Sequence, residues 1–116
     1  MPESQLIYAM LSDRGRVRRG NEDACAAAPE AGVYVVCDGM GGAAAGEIDS
    51  HLATETLLAH LPPVAAGARA ATKPEARLSA AIQAANQAVY SAARQSPRLS
   101  GMGTTLVALL YAPLPN

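Results

Sequence analysis

The sequence predicts an α+β fold in which antiparallel strands carry two helices on one face. Three observations predict it. A short apolar run, Val33 to Cys37, lies between the turn signal Pro29-Glu30-Ala31-Gly32 and a glycine-rich loop, the pattern of a buried strand. Two stretches further on, Ala44 to Leu61 and Glu75 to Arg94, repeat their apolar residues every three or four positions, the period of a helix. A second strand-like run, Gly103 to Tyr111, closes the pattern. The order is strand, strand, strand, helix, helix, strand, with no internal repeat and no interdomain linker.

In chain order, Gln5 to Leu11 reads as a first strand broken by Asp13-Arg14-Gly15. A polar stretch, Arg16 to Asp23, follows. Ala24 to Ala28 suits a strand between turns, although alanine also favours helix. The hairpin at Pro29 to Gly32 would run this strand antiparallel to Val33–Cys37 and return Glu22 and Asp23 beside Asp38. In the first helix Ile48, Leu52, Leu57, Leu58 and Leu61 share one face, and Pro62-Pro63 ends it. Residues 64 to 73 form a small-residue loop. The second helix starts with Pro74-Glu75, proline in the first turn and an acid at the positive end of the dipole. It turns Leu78, Ile82, Ala85, Val89 and Ala92 to the core and stops at Ser96-Pro97. The last strand runs into Pro113-Leu114-Pro115-Asn116, which resembles the entry to a tight turn, so a partner strand is expected after it.

A chain of 116 residues makes at most one domain, able to bury roughly two thirds of its unfolded surface. The core must be built from Ala, Leu and Val, because there is no Phe and no Trp. A net charge of −1 gives no electrostatic case for nucleic acid or an acidic membrane. Cys25 and Cys37 fit neither a disulfide framework nor a zinc pattern and read as small core residues in a reducing compartment. The N-terminus lacks the basic leader and apolar core of a secretory signal, and no apolar run reaches the ~20 residues that span a bilayer. The expected location is the cytoplasm.

The chemistry gathers where the strand Val33–Cys37 ends. Asp38 opens a loop holding Gly39, Gly41 and Gly42, so a carboxylate on a rigid strand meets backbone that other groups can approach closely. Glu22, Asp23, Asp38 and the Gly39 carbonyl are hard oxygen donors, suited to Mg²⁺ or Mn²⁺ over zinc or copper. Arg18 is near them in sequence, and a guanidinium takes two phosphate oxygens at once. Metal, arginine and a carboxylate cluster together suggest phosphoryl chemistry. Arg14, Arg16 and Arg19 read as surface charges, and His51 and His60 lack metal-ligand spacing. Thr104 and Thr105 suit strand packing or hydrogen bonding, and Asn21 suits the turn that aims Arg18. The loop has neither the Gly-Lys-Ser/Thr of a phosphate-binding loop nor dinucleotide-fingerprint spacing.

Three stretches carry a resemblance to a family. Ser12 through Asp23, the segment SDRGRVRRGNED, resembles the opening motif of the PP2C-type (PPM) metal-dependent protein serine/threonine phosphatases. Cys37-Asp38-Gly39-Met40-Gly41-Gly42 with Ala45-Gly46-Glu47 resembles the second motif in its bacterial form, and Gly101-Met102-Gly103-Thr104-Thr105 resembles a third. The resemblance covers essentially the whole chain but only the first half of the family's domain. It implies that residues 1–116 are a partial phosphatase domain, the N-terminal half of an α-β-β-α sandwich, ending before the C-terminal metal-binding motifs.

The resemblance also implies roles. Asp38 would bridge two divalent cations, Mn²⁺ or Mg²⁺, with the Gly39 carbonyl ligating one. Glu22 and Asp23 would act mainly through metal-bound water, and Arg18 would bind the substrate phosphate. Met40 stands where many eukaryotic members carry a histidine proposed as general acid. The implied function is hydrolysis of phosphoserine and phosphothreonine in proteins, with a bacterial Ser/Thr kinase and its substrates as natural counterparts. After Glu75 the sequence holds no Asp or Glu, so the aspartates that complete the family's site are missing and activity of this chain is expected to be weak or absent. The alternative is a non-catalytic fragment that binds a phosphoprotein or partner chain, or associates with itself, through an exposed sheet edge.

Overall fold

The computed structural model describes residues 6–12, 23–40, 43–64, 73–96, 101 and 103–112. Among these, the elements are β1 (Asp23–Ala28), β2 (Val33–Met40), α1 (Ala43–Ala59), α2 (Pro74–Gln95), β3 (Gly103–Thr104) and β4 (Val107–Leu110). The expected α+β class and helix pair are present.

β2 is the central strand. β1 pairs with it antiparallel from Asp23↔Asp38 to Ala28↔Val33. The turn between them forms as the Pro-Glu-Ala-Gly signal predicts: Ala31 N–H donates to the Ala28 carbonyl at 2.9 Å and Gly32 N–H to that of Pro29 at 3.1 Å. Gly32 takes a φ of +72°, open to glycine at little cost. On the other edge of β2 lie β3, paired at Gly39↔Thr104 and Met40↔Gly103, and β4, paired from Val36↔Val107 to Val33↔Leu110. The two share one register, so the single strand expected over Gly103–Tyr111 is interrupted only at Thr105 and Leu106.

One face of the sheet is covered by helices. Val33, Val35 and Cys37 of β2 are buried there with Ala45, Ala53, Leu57 and Leu61 of the α1 segment and Ala81, Ala85 and Val89 of α2. The face of α2 follows its spacing, except that Ala81 is enclosed while Ile82 is 39% exposed. α1 departs further. Its enclosed side carries Asp49, Ser50, Ala53, Thr54 and Leu57, and Ile48 is 45% exposed. Of the expected stripe, Leu57 and Leu61 are enclosed and Leu52 and Leu58 pack at the margin of the core, so the departure is Ile48, which lies half a turn around the helix from Leu57. α2 begins with Pro74 in its first turn and ends at Ser96, whose φ of −139° and ψ of 123° are the extended angles favoured before Pro97.

The opposite face carries Tyr34, Val36, Val107 and Leu109, and the last three are 53%, 67% and 52% exposed. The expected strand over Gln5–Leu11 is not formed: residues 6–12 have no regular structure, and Gln5 lies outside the described residues. Their apolar character instead lays them along this outer face, where the Tyr8 and Tyr34 rings meet edge-on at 5.2 Å. A strand needs a ladder partner, and none among the described residues pairs with this segment.

Candidate metal centre

The site is built at the end of β2. Alternation along a strand sends Val35 and Cys37 to the helices and Asp38 to the outer face. Asp23 stands directly opposite Asp38 in the ladder, so the two side chains leave the same face of the sheet. Both residues are exposed. The hairpin thus brings Asp23 and Asp38 together as its length predicts. Arg18 and Glu22 lie outside the described residues.

Thr105 holds the backbone of Asp38. Its N–H donates to the Asp38 carbonyl at 2.9 Å, and its Oγ1 accepts the Asp38 N–H at 3.0 Å. An unbroken ladder would use the Thr105 carbonyl for that second bond. Here the Thr105 carbonyl accepts from Thr104 Oγ1 at 2.7 Å instead. The hydroxyls of two adjacent threonines therefore make the interruption between β3 and β4. By the alternation of an antiparallel ladder, Gly39, one residue on, turns its carbonyl to the β1 edge. Sequence alone allowed packing or hydrogen bonding for both threonines and did not connect Thr105 with Asp38. The signal that could have done so is register: running the last strand antiparallel to Val33–Cys37 sets Thr105 opposite Asp38.

Behind Asp38 lies a buried polar group. Thr54 Oγ1 is 2.8 Å from the Ser50 carbonyl oxygen and 3.4 Å from Cys37 Sγ. Burial pushes the Cys37 thiol above its ordinary pKa, contacts with Thr54 and Thr104 offset part of the rise, and the Asp49 carboxylate adds to it. Cys37 is thus a neutral core thiol, as its place in the apolar run suggests, and not a nucleophile. His60 turns Nδ1 to the Thr56 carbonyl oxygen at 2.9 Å, a local helix contact remote from the carboxylates in sequence and role.

Among the described residues, no three His, Cys, Asp or Glu groups come together as a metal-holding cluster. The described donors are two carboxylates and a backbone carbonyl, all oxygens. Their chemistry fits a hard divalent cation, and their number is that of a partial shell.

A family model described as Protein phosphatase 2C matches residues 14–114. The chain belongs to the protein phosphatase 2C family. It is 45% identical over 107 residues to the serine/threonine protein phosphatase PstP of Mycobacterium tuberculosis, a match covering 92% of this chain and 20% of that protein. Against the serine/threonine phosphatase stp of Listeria innocua it is 36% identical over 110 residues, covering 87% of this chain and 41% of that one. The crystal structure of the PstP catalytic domain in complex with two manganese ions superposes with a TM-score of 0.74 and 40% identity, over 89% of this chain and 42% of that one. The chain therefore spans between a fifth and about two fifths of these relatives, and its sheet and helices are those of a PPM phosphatase fold over that part.

Proposed function

We propose that this chain is the N-terminal part of a divalent-metal-dependent phosphatase that removes phosphate from serine and threonine side chains of proteins. The observation that carries the reading is the cross-strand pair Asp23–Asp38 at the glycine-rich end of β2. Two carboxylates on one face, with the Gly39 carbonyl beside them, make a place for a hard cation and an unfavourable one for bare protein. Asp38 would bridge two cations, Mn²⁺ or Mg²⁺, the Gly39 carbonyl would ligate one, and Asp23 and Glu22 would hold them mainly through water. When bound, such a pair lowers the pKa of water and neutralises charge developing on a phosphoryl group. Arg18 would take the substrate phosphate in its guanidinium fork and orient it toward the carboxylates. Burial keeps the Cys37 thiol neutral, so no covalent intermediate on this cysteine is called for.

Phosphoproteins are the proposed substrates, made by a serine/threonine kinase, and the proposed setting is the cytoplasm. No helix among the described residues is long and apolar enough to cross a membrane. The outer sheet face and the edge of β4 are where further chain, or a second copy, would pack. The remaining metal ligands are proposed to lie outside these 116 residues, so this chain alone should turn over weakly or not at all.

The test is Mn²⁺-dependent hydrolysis of a phosphothreonine peptide, by this chain and by the chain continued through a complete family domain. Arg18→Ala and Asp38→Asn serve as controls. Metal-dependent release of phosphate by the longer protein, lost in both variants, is expected. A longer protein with no metal-dependent activity would leave the alternative, a non-catalytic phosphoprotein-binding module. Full activity in Asp38→Asn would sink the assignment of that residue.

A further inference from the structure

We propose that Thr105 is a positioning residue of this centre: its hydroxyl fixes the backbone of Asp38 and thereby aims the Asp38 carboxylate. The inference rests on Asp38 being a metal ligand, as proposed above.

Three observations lead to it. The first is that the aim of Asp38 is set by its backbone. Among the described residues no side-chain hydrogen bond holds the exposed carboxylate, so the direction of its Cα–Cβ bond decides where the oxygens can reach. Thr105 touches the polar groups on both sides of that Cα: the N–H at 3.0 Å through Oγ1, and the carbonyl at 2.9 Å through its own N–H. Oγ1 also faces the same carbonyl at 3.4 Å. A hydroxyl both accepts and donates, so one atom can serve both sides, whereas a ladder carbonyl only accepts.

The second observation is that the arrangement replaces a simpler one. Continuing the ladder through Thr105 would join β3 to β4 with ordinary backbone bonds. Instead the Thr105 carbonyl is drawn off by Thr104 Oγ1 at 2.7 Å, and a side chain is immobilised in its stead. The third is that the interruption leaves the register unchanged. β3 and β4 keep one register against β2, so no bulge or slip explains it.

The variants separate packing from hydrogen bonding. Thr105→Val keeps the β-branched shape and removes the hydroxyl; Thr105→Ser keeps the hydroxyl. Both hydrogen bonds are exposed, so water can replace them and the fold should survive. The measurement is Mn²⁺-induced broadening of the Asp23, Asp38 and Gly39 amide signals in the isotope-labelled chain, a readout that registers weak binding without turnover. Wild type and Thr105→Ser should broaden at Mn²⁺ concentrations within about twofold of each other. Thr105→Val should need about tenfold more, the usual cost of losing a group that orients a metal ligand. Asp38→Asn should lose the selective broadening. Thr105→Val behaving like wild type, while Asp38→Asn loses the effect, would overturn the positioning role and leave the metal site standing. Asp38→Asn broadening like wild type, or no selective broadening in wild type, would overturn the metal assignment and this proposal with it. Should Thr105→Val melt well below the others, Thr104→Val frees the Thr105 carbonyl to displace the hydroxyl from Asp38. It should weaken Mn²⁺ binding too, and unchanged binding there would overturn the proposal.

Discussion

Asp23 and Asp38 face each other across the β1–β2 ladder, two carboxylates at directly opposed positions on the outer face of one sheet. Like charges so placed destabilise a sheet. A hairpin selected only for stability would hold a neutral or oppositely charged pair here. Asp38→Asn should therefore raise the stability of the metal-free chain, by roughly 0.2–1 kcal/mol. Mn²⁺ bound as proposed should raise the stability of wild type and not that of the variant, since a ligand stabilises only the state that binds it. Urea denaturation with and without Mn²⁺ checks both. A less stable Asp38→Asn chain would mean that the pair carries no repulsion to relieve.

Gly32 and Gly101 make a controlled comparison of backbone demands. Both have positive φ, +72° and +83°. Among the described residues, a Cβ on Gly101 would meet nothing within 4 Å, while one on Gly32 would strike the Tyr111 carbonyl oxygen. Gly32 also accepts the Tyr111 N–H at 2.7 Å, the bond that ties the end of β4 to the hairpin. Gly101→Ala should cost about 1–2 kcal/mol, the strain of a left-handed residue with a side chain. Gly32→Ala carries that strain plus a backbone collision and should cost clearly more, read as a lower urea midpoint. Equal losses would show that the β4 end yields freely.

Most of the fold was legible because it rests on signals that act locally. The Pro-Glu-Ala-Gly turn sets the β1–β2 register, and with it the meeting of Asp23 and Asp38. Pro74 and Pro97 bracket α2. What escaped depends on neighbours. The strand expected at Gln5–Leu11 has suitable residues, but pairing requires a partner that periodicity cannot supply. The α1 stripe held at Leu57 and Leu61 and failed at Ile48, whose apolar character says nothing of its position half a turn around the helix from Leu57. Thr105 was ambiguous for a related reason: whether a strand threonine packs or holds a neighbouring backbone is decided by the opposite strand. Arg18 and Glu22 were legible as motif residues and lie outside the described structure.

Cys37 gives a pH prediction with a definite sign. Burial raises its thiol pKa in the folded chain, so the folded state holds the proton to higher pH than the unfolded state does. The stability linked to this group is fully present below the unfolded thiol value, near ~8.5, and is lost as pH rises from there through the folded value. Stability should therefore fall more steeply above pH ~8.5 in wild type than in Cys37→Ala, once the lower baseline of the variant is subtracted. Below that pH, Cys37 should resist iodoacetamide until the chain is unfolded. Rapid alkylation of Cys37 in the folded chain would contradict its burial.

The exposure of Ile48 against the burial of Leu57 is tested by two large-to-small changes nine residues apart. Leu57 is 0% exposed and sits in the core with Val33, Val35 and Val89. Leu57→Ala removes buried methyl groups and leaves a cavity, so it should cost about 2–5 kcal/mol. Ile48 is 45% exposed on the other side of the helix. Ile48→Ala exchanges a β-branched residue for the best helix former at a half-exposed position. It should stay within about 0.5 kcal/mol of wild type, the usual range for surface substitutions. Thermal or urea unfolding of the two variants decides it. If Ile48→Ala proved as costly as Leu57→Ala, Ile48 would pack into the core with Leu57, as the stripe read from periodicity had it.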